Sequence, residues 1–225
     1  MYWKSRHFWR LSYFPPDHIC PKFGFLYKLS YVEVKEVILE GRFVRLEPMR
    51  LSQLEALAKA GLFESVWEWT PGKVTNRDEM RGYIETALEE QIRGVSLPFV
   101  TVDRASGTII GSTRFGNIDV KNLKVEIGWT WITPERQRTY VNTEAKLLML
   151  KHAFELWKCI RVELKTDALN EKSRNAILRI GAKFEGIFRQ NMITDSGRLR
   201  DTAYFSIIDS EWQDVKSDLT SKLNK

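Results

Sequence analysis

The chain has little from which to build a metal centre or a disulfide framework. Its 225 residues include two cysteines, Cys20 and Cys159, and three scattered histidines, His7, His18 and His152. Two isolated thiols exclude a disulfide scaffold and suit a reducing cytoplasm, and no His, Cys or acidic spacing matches a metal site. No apolar run approaches the roughly 18 residues that cross a bilayer, and the N-terminus lacks the apolar stretch of a signal peptide. Neither sign of charge dominates: 35 Lys and Arg against 29 Asp and Glu leave +6, which permits an acidic partner without demanding one. Internal repeats and low-complexity tracts are also missing. These absences predict a cytoplasmic domain with no metal and no membrane, and the length suits one domain with an appendage.

The appendage is at the front. Met1 to Tyr31 holds ten aromatic residues and five Lys or Arg against one acid, Asp17. Interleaved bases and aromatics can stack on single-stranded nucleic acid. The stronger reading is an interface-forming extension, as a homodimer would use, or upstream sequence translated from a misassigned start. Residues 1–36 are therefore set apart from a domain over 37–225, and nucleic acid is the weaker partner.

The domain reads as alternating strands and helices. Val37 to Leu46 is a first strand with Glu40-Gly41 as a bulge, and Ser52-x-x-Glu55 is a capping box for a helix through Leu54, Leu57 and Ala58. Thr75-x-x-Asp78 opens a helix through Tyr83, Ala87 and Leu88 that ends by Gly94. Phe99 to Val102 and Thr108 to Phe115 form a hairpin. A strand over Lys124 to Ile132, a helix apolar on several sides through Trp157, a strand over Arg161 to Thr166, a helix over Ser173 to Ile180 and a hairpin of Phe184 to Thr194 with Arg200 to Ile208 follow. His152 lies in an apolar stripe and reads as a core histidine.

The junction after the fourth strand carries the chemistry. Glu126-Ile-Gly-Trp-Thr-Trp-Ile132 is aromatic and β-branched, and Thr133-Pro134 cannot continue a central ladder, because proline lacks the N–H. Arg136, Gln137, Arg138 and Thr139 then lead into a helix that Asn142 or Thr143 can cap. Such a junction gathers free N–H groups at the positive end of a helix dipole, which suits a phosphate or pyrophosphate.

Glu126-Ile127-Gly128-Trp129, Gln137 and Thr143-Glu144-Ala145 resemble the pyrophosphate-binding segment of the GNAT acetyltransferases, in the RimJ/RimL branch that modifies ribosomal-protein N-termini. Asn170-x-x-Ser173 with the helix-ending Gly181, then Phe184-Glu185-Gly186 in the place of the family's Phe-x-x-Glu-Gly, and Asp201, Tyr204 and Trp212 extend the likeness from about Val37 to Trp212. Arg138, Tyr140 and Asn142 stand where the family commonly has glycine. The resemblance implies an α+β fold of three layers, with a mixed, mostly antiparallel sheet splayed between its fourth and fifth strands and flanked by helices.

It also implies acetyl-CoA as co-substrate and acetyl transfer to a primary amine, foremost a protein N-terminal α-amine. A small amine or amino acid, and a degenerate member that binds without turnover, stay open as alternatives. On this likeness Glu126 is the general base, and Ser173 or Tyr204 supplies a proton to the thiolate. The coenzyme would lie against Trp129, Trp131, Ile132, Arg136, Gln137, Arg138, Thr139, Tyr140, Val141, Asn142, Thr143 and Asn170. Trp67, Trp69, Phe115, Asn117 and Asp119 fall in segments facing the acceptor.

Overall fold

The computed structural model describes residues 32–224. The aromatic, basic segment over 1–31 lies outside them. One eight-stranded sheet runs in the order β1-β2-β3-β4-β5-β6-β8-β7. The strands are β1 (Leu39–Glu40), β2 (Val44–Pro48), β3 (Leu97–Asp103), β4 (Ile109–Asp119), β5 (Lys124–Ile132), β6 (Arg161–Asp167), β7 (Lys183–Ile193) and β8 (Leu199–Ile208). Every pairing is antiparallel except β5 with β6.

Helices cover both faces. One apolar cluster joins Phe99, Phe115, Ile127, Phe205 and Ile207 to α4 (Tyr140–Lys151), α5 (Glu171–Arg179) and α6 (Trp212–Leu223). A second packs Val100, Val102 and Trp131 against α1 (Leu54–Gly61) and α3 (Arg77–Ile92), with the short α2 (Glu64–Trp67) between them. Alternation along the central strands feeds both clusters, as it must when a sheet is buried on two sides. Val32 is 4% exposed and belongs to the first cluster, so packing begins five residues before the expected domain start at Val37.

Several local expectations shift. The first strand is a tight hairpin, in which Leu39 pairs with Leu46 and Glu40 with Arg45, and Gly41 sits in its turn. Ser52 does not open α1; the chain enters through a 3-10 turn over Leu51–Gln53, where the Gln53 side chain accepts the Arg50 N–H at 2.8 Å. Asn76 caps α3 in place of Thr75, taking the N–H groups of Asp78 and Glu79 at 3.0 Å each. Thr139 caps α4, which leaves Asn142 and Thr143 inside its first turn. The C-terminal α6 was not expected, although Trp212, Val215 and Leu219 lie one face of it against the core. His152 is buried, 4.7 Å from the Trp157 ring and 5.8 Å from Phe115, and burial lowers its pKa.

The hairpin turn is held by a helix distant in sequence. Glu144, 4% exposed on α4, accepts backbone N–H groups from Arg42, Phe43 and Val44 at 2.7, 2.7 and 2.6 Å. Gly41 must be glycine, since a Cβ there would collide with the Glu144 carboxylate. Removing that carboxylate strands three donors, each worth about 1 to 3 kcal/mol if left unpaired. Glu144→Ala is expected to lower the unfolding free energy by about 3 kcal/mol or more, partly relieved by water at the turn. Urea denaturation measures it; a loss below about 1 kcal/mol would mean that solvent satisfies the turn equally well.

Candidate active site

β5 and β6 stay together for three residues only: Lys124 with Arg161, Val125 with Val162 and Glu126 with Glu163. Beyond Glu126 they part, and β5 continues to Ile132 against β4 alone. A bulge follows just beyond the parting. Between the pairs Arg114–Gly128 and Ser112–Trp131, β5 carries one residue more than β4. Trp129 holds a left-handed φ of 49° there, its indole 4.9 Å from the Arg114 guanidinium and above Gly116, where any Cβ would meet the ring. Trp131 is buried 5.8 Å from the Trp67 ring, while Ile132 is half-buried at the strand's end. The freed edge of β5 is the kind that accepts an extended ligand as an added strand.

The loop that follows reaches the N-terminus of α4. Arg136 lies 2.7 Å from the buried Asp103 carboxylate, and Gln137 turns back to donate to the Ile132 carbonyl at 2.9 Å. Arg138 is different. It has no ion pair among the described residues and takes φ 60°, the left-handed conformation that glycine adopts cheaply. Tyr140, Val141, Asn142 and Thr143 are helical, so of the three glycine-replacing positions only Arg138 has positive φ. Thr139 accepts the Val141 N–H at 3.3 Å and donates to the Arg136 carbonyl at 2.8 Å. The N–H groups of Arg138 and Thr139 have no partner among the described residues, which leaves them, with the helix dipole, available to an anion.

Glu126 sits at the fork, 8% exposed, on the sheet face turned toward α1 and α3. Its Oε2 accepts Asn117 Nδ2 at 2.7 Å and Lys165 Nζ at 2.8 Å, and Oε1 enters neither bond. Asn117 itself has φ 47°. Lys165 lies 4.8 Å above the Tyr204 ring, its cross-strand neighbour. Burial works to lower the Lys165 pKa, but the Glu126 carboxylate, aided by Glu163, holds it above the ordinary value. The Tyr204 hydroxyl reaches Asn191 at 3.1 Å, and Phe188 stacks on its ring at 4.0 Å.

Asn170 caps α5, accepting the Ser173 N–H at 2.9 Å. No hydrogen bond joins Ser173 to Glu126 among the described residues; Glu126, Asn117, Lys165 and Tyr204 are the group that the fold brings together. Of these, Lys165 carried no motif, and its only sequence signal was the polar alternation Arg161-Glu163-Lys165 along a strand. Phe115 is core against Trp157 at 4.7 Å, and Trp67 is core with its Nε1 on the Gly61 carbonyl at 2.7 Å. Asp119 is turned to Asn122 in a surface turn. The tip of the β7–β8 hairpin docks on the loop before α3, through Asp195 N to Pro71 O at 2.9 Å and Lys73 N to Asp195 Oδ2 at 3.3 Å.

Lys146 was also missed. Nearly two turns into α4 and 5% exposed, its Nζ donates to Thr130 at 2.6 Å and to Thr113 at 3.4 Å, beneath the bulge.

A mixed sheet splayed beside a helix start with unpartnered N–H groups leaves an open strand edge that leads toward a place for an anion. The acetyltransferase (GNAT) domain family matches residues 44–183, and the chain belongs to that family. It is 34% identical over 110 residues to "Putative ribosomal N-acetyltransferase YdaF" of Bacillus subtilis (strain 168), covering 49% of this chain and 59% of that protein. The chain thus spans under two thirds of that relative's length. A crystal structure of a GCN5-related N-acetyltransferase from Brucella melitensis shares 34% identity and a TM-score of 0.77 over 83% of this chain and 85% of its own. Mycobacterium smegmatis RimJ, solved with CoA-disulfide, shares the fold at 22% identity and a TM-score of 0.69, over 83% of this chain and 92% of that one.

Burial pushes the Lys146 pKa from 10.5 down to about 7. The unfolded chain therefore binds more protons than the fold between about pH 7 and 10.5, and stability contributed at this site rises with pH there, at up to about 1.4 kcal/mol per unit. Lys146→Met removes the titrating group. The wild type is expected to gain stability relative to that variant as pH is raised from about 7 to about 10, read from urea unfolding. A difference flat in pH would show an amine charged alike in both states.

Proposed function

We propose that this chain moves the acetyl group of acetyl-coenzyme A onto the α-amine at a protein N-terminus. The observation that carries the reading is the position of Glu126, at the point where β5 leaves β6 and beside the edge that the coenzyme's arm would follow. The residues fit such a ligand: a strand edge with free backbone groups, then unpartnered N–H groups and a cation at Arg138, then a helix start. When bound, the thioester supplies an activated acyl carbon and a thiolate leaving group.

The chain's own residues would manage protons and charge. Glu126 Oε1 is the oxygen left to take a proton, directly or through a water, because Oε2 already holds Asn117 and Lys165. Carboxylates as a class are modest bases. That suits an α-amine, of pKa about 8 and some tenth neutral at pH 7, better than a lysine, neutral to about one part in a few thousand. Backbone N–H groups at the Trp129–Trp131 bulge are candidates to polarise the thioester oxygen, an effect of about 2 to 4 kcal/mol for a well-aimed donor. Tyr204, in the Glu126 group, and Ser173, at the start of α5, are the candidate proton donors for the thiolate. The ribosomal N-acetyltransferase name of the Bacillus subtilis relative supports a protein acceptor.

Acetyl-CoA is expected to raise the melting temperature, and Glu126→Gln to lower kcat by about 10²- to 10⁴-fold without loss of that shift. Turnover unchanged in the variant would assign the base elsewhere, and no shift at millimolar coenzyme would remove the enzyme reading. For the loop, Arg138→Ala is expected to weaken coenzyme binding by about 1.5 to 3 kcal/mol and to flatten its salt dependence. Titration calorimetry at low and high salt reads both; equal affinities at low salt would leave the site to the backbone alone.

A further inference from the structure

β8 has two unlike faces. Ala203, Phe205 and Ile207 enter the core, whereas Arg200, Thr202 and Tyr204 point to the same side as Lys165 and Glu126. Cross-strand pairs fix the row: Lys165 stands opposite Tyr204, and Asp167 opposite Thr202. Two buried polar groups in this row have no hydrogen-bond partner among the described residues, Arg200 Nε and Thr202 Oγ1. The Arg200 side chain is 7% exposed, and its Nε lies 3.6 Å from Asp167 Oδ2, beyond hydrogen-bond length. Asp167 is already engaged, paired with Arg198 and accepting the Leu169 N–H at 3.0 Å.

A buried guanidinium N–H without a hydrogen bond is costly, because nothing replaces the water it has lost and arginine does not escape by losing its proton. Burial indeed pulls its pKa below the ordinary value, against the opposing fields of Asp167 and Glu126. A group held in that condition calls for an explanation, and a ligand supplies one. The planar fork of arginine matches a carboxylate, with a hydroxyl next to it as a further donor.

We infer that Arg200, with Thr202 beside it, receives a carboxylate of the acceptor while Glu126 receives the acceptor's amine. The inference rests on the reading of Glu126 as the base. The row then has opposite charges at its two ends, arranged for a molecule with an amine at one end and an acid further along. Arg200 is four residues beyond Tyr204, about 13 Å of strand, of which the long side chain spans part. The amine and carboxylate of one free α-amino acid sit on a single carbon, whereas Glu126 and Arg200 stand on different strands several residues apart along the row. That separation fits an acidic side chain within the first few residues of a polypeptide, so the acceptor is an N-terminus with an Asp or Glu close behind it.

The test compares acetylation of short peptides that differ by Asp against Asn at the first, second or third position, with free aspartate and glutamate as further arms, using the full chain. At one peptide position the acid is expected to exceed the amide by about 10- to 100-fold in kcat/KM, the range for a hydrogen bond to a charged group. Arg200→Met should abolish that ratio while leaving the rate on the amide peptide and the coenzyme-induced thermal shift within about twofold; Arg200→Lys should retain part of it. Peptides acetylated by the wild type with no preference for the acid would overturn the inference and leave the Glu126 reading intact, as would a preference that survives in Arg200→Met. A preference for the free amino acids over every peptide would keep the carboxylate and overturn its source. If no acceptor is acetylated, the Glu126 reading fails, and calorimetry with the N-acetylated Asp and Asn peptides decides the Arg200 site: tighter binding of the Asp peptide, lost in Arg200→Met, supports it, and equal binding overturns it.

Discussion

The separation of β5 from β6 is the constraint on which the rest depends. Three paired residues hold the two halves of the sheet together, and the bulge at Trp129 follows just after the last pair, Glu126 with Glu163. A left-handed tryptophan costs of order 1 to 2 kcal/mol in backbone strain. It is held by the Arg114 cation above its ring, by a glycine at position 116 that leaves room for the indole, and by the threonine pair that Lys146 joins from below. Strain accumulates where the strand edge is opened, between the fork at Glu126 and the approach to α4.

α4 contributes two buried charged side chains, two positions apart, with opposite solutions to the same problem. Glu144 keeps its carboxylate in the interior by accepting three backbone N–H groups from a hairpin turn some hundred residues earlier. Lys146 has hydroxyls for partners and no counter-charge among the described residues, so burial shifts it toward the neutral amine. The first is a tie between the N-terminal hairpin and the helix; the second supports the bulge. Both lie within the helix whose start forms the candidate anion site, so the position of that start is fixed from two sides.

Elements determined by their own residues were legible in the sequence. β5 was placed over Lys124–Ile132 because β-formers run up to Thr133-Pro134, and the β3–β4 turn because Asp103 to Gly107 carries turn chemistry. The β1–β2 hairpin was not, because what makes Gly41 a turn in place of a bulge is Glu144, a partner distant in sequence. Helix starts slipped by a few residues, since neighbouring Thr, Asn and Ser compete for the same cap and tertiary packing chooses among them. In the site, Glu126 stood out through its strand and its resemblance. Asn117 was visible only as a segment, and Lys165 and Arg200 not at all, because register across β4, β5, β6 and β8 creates their association.

The loop before α4 shows how a motif can lose its glycines and keep its geometry. Among Arg138, Tyr140 and Asn142, helical positions accept any ordinary residue, so the substitutions at 140 and 142 leave the backbone unaffected. Arg138 alone adopts the positive φ, and a non-glycine residue there is destabilising by about 1 to 2 kcal/mol relative to glycine. That penalty persists only where surrounding structure enforces it, here the 3-10 turn over Pro134–Arg136, anchored by Arg136 on Asp103, and the Thr139 cap on the other side. In return the strained position carries a cation beside two unpartnered N–H groups, which glycine cannot do. By its glycines alone the loop looks impaired; its φ and charge fit the anion site proposed for it, with an attraction that acts over a longer range than hydrogen bonds.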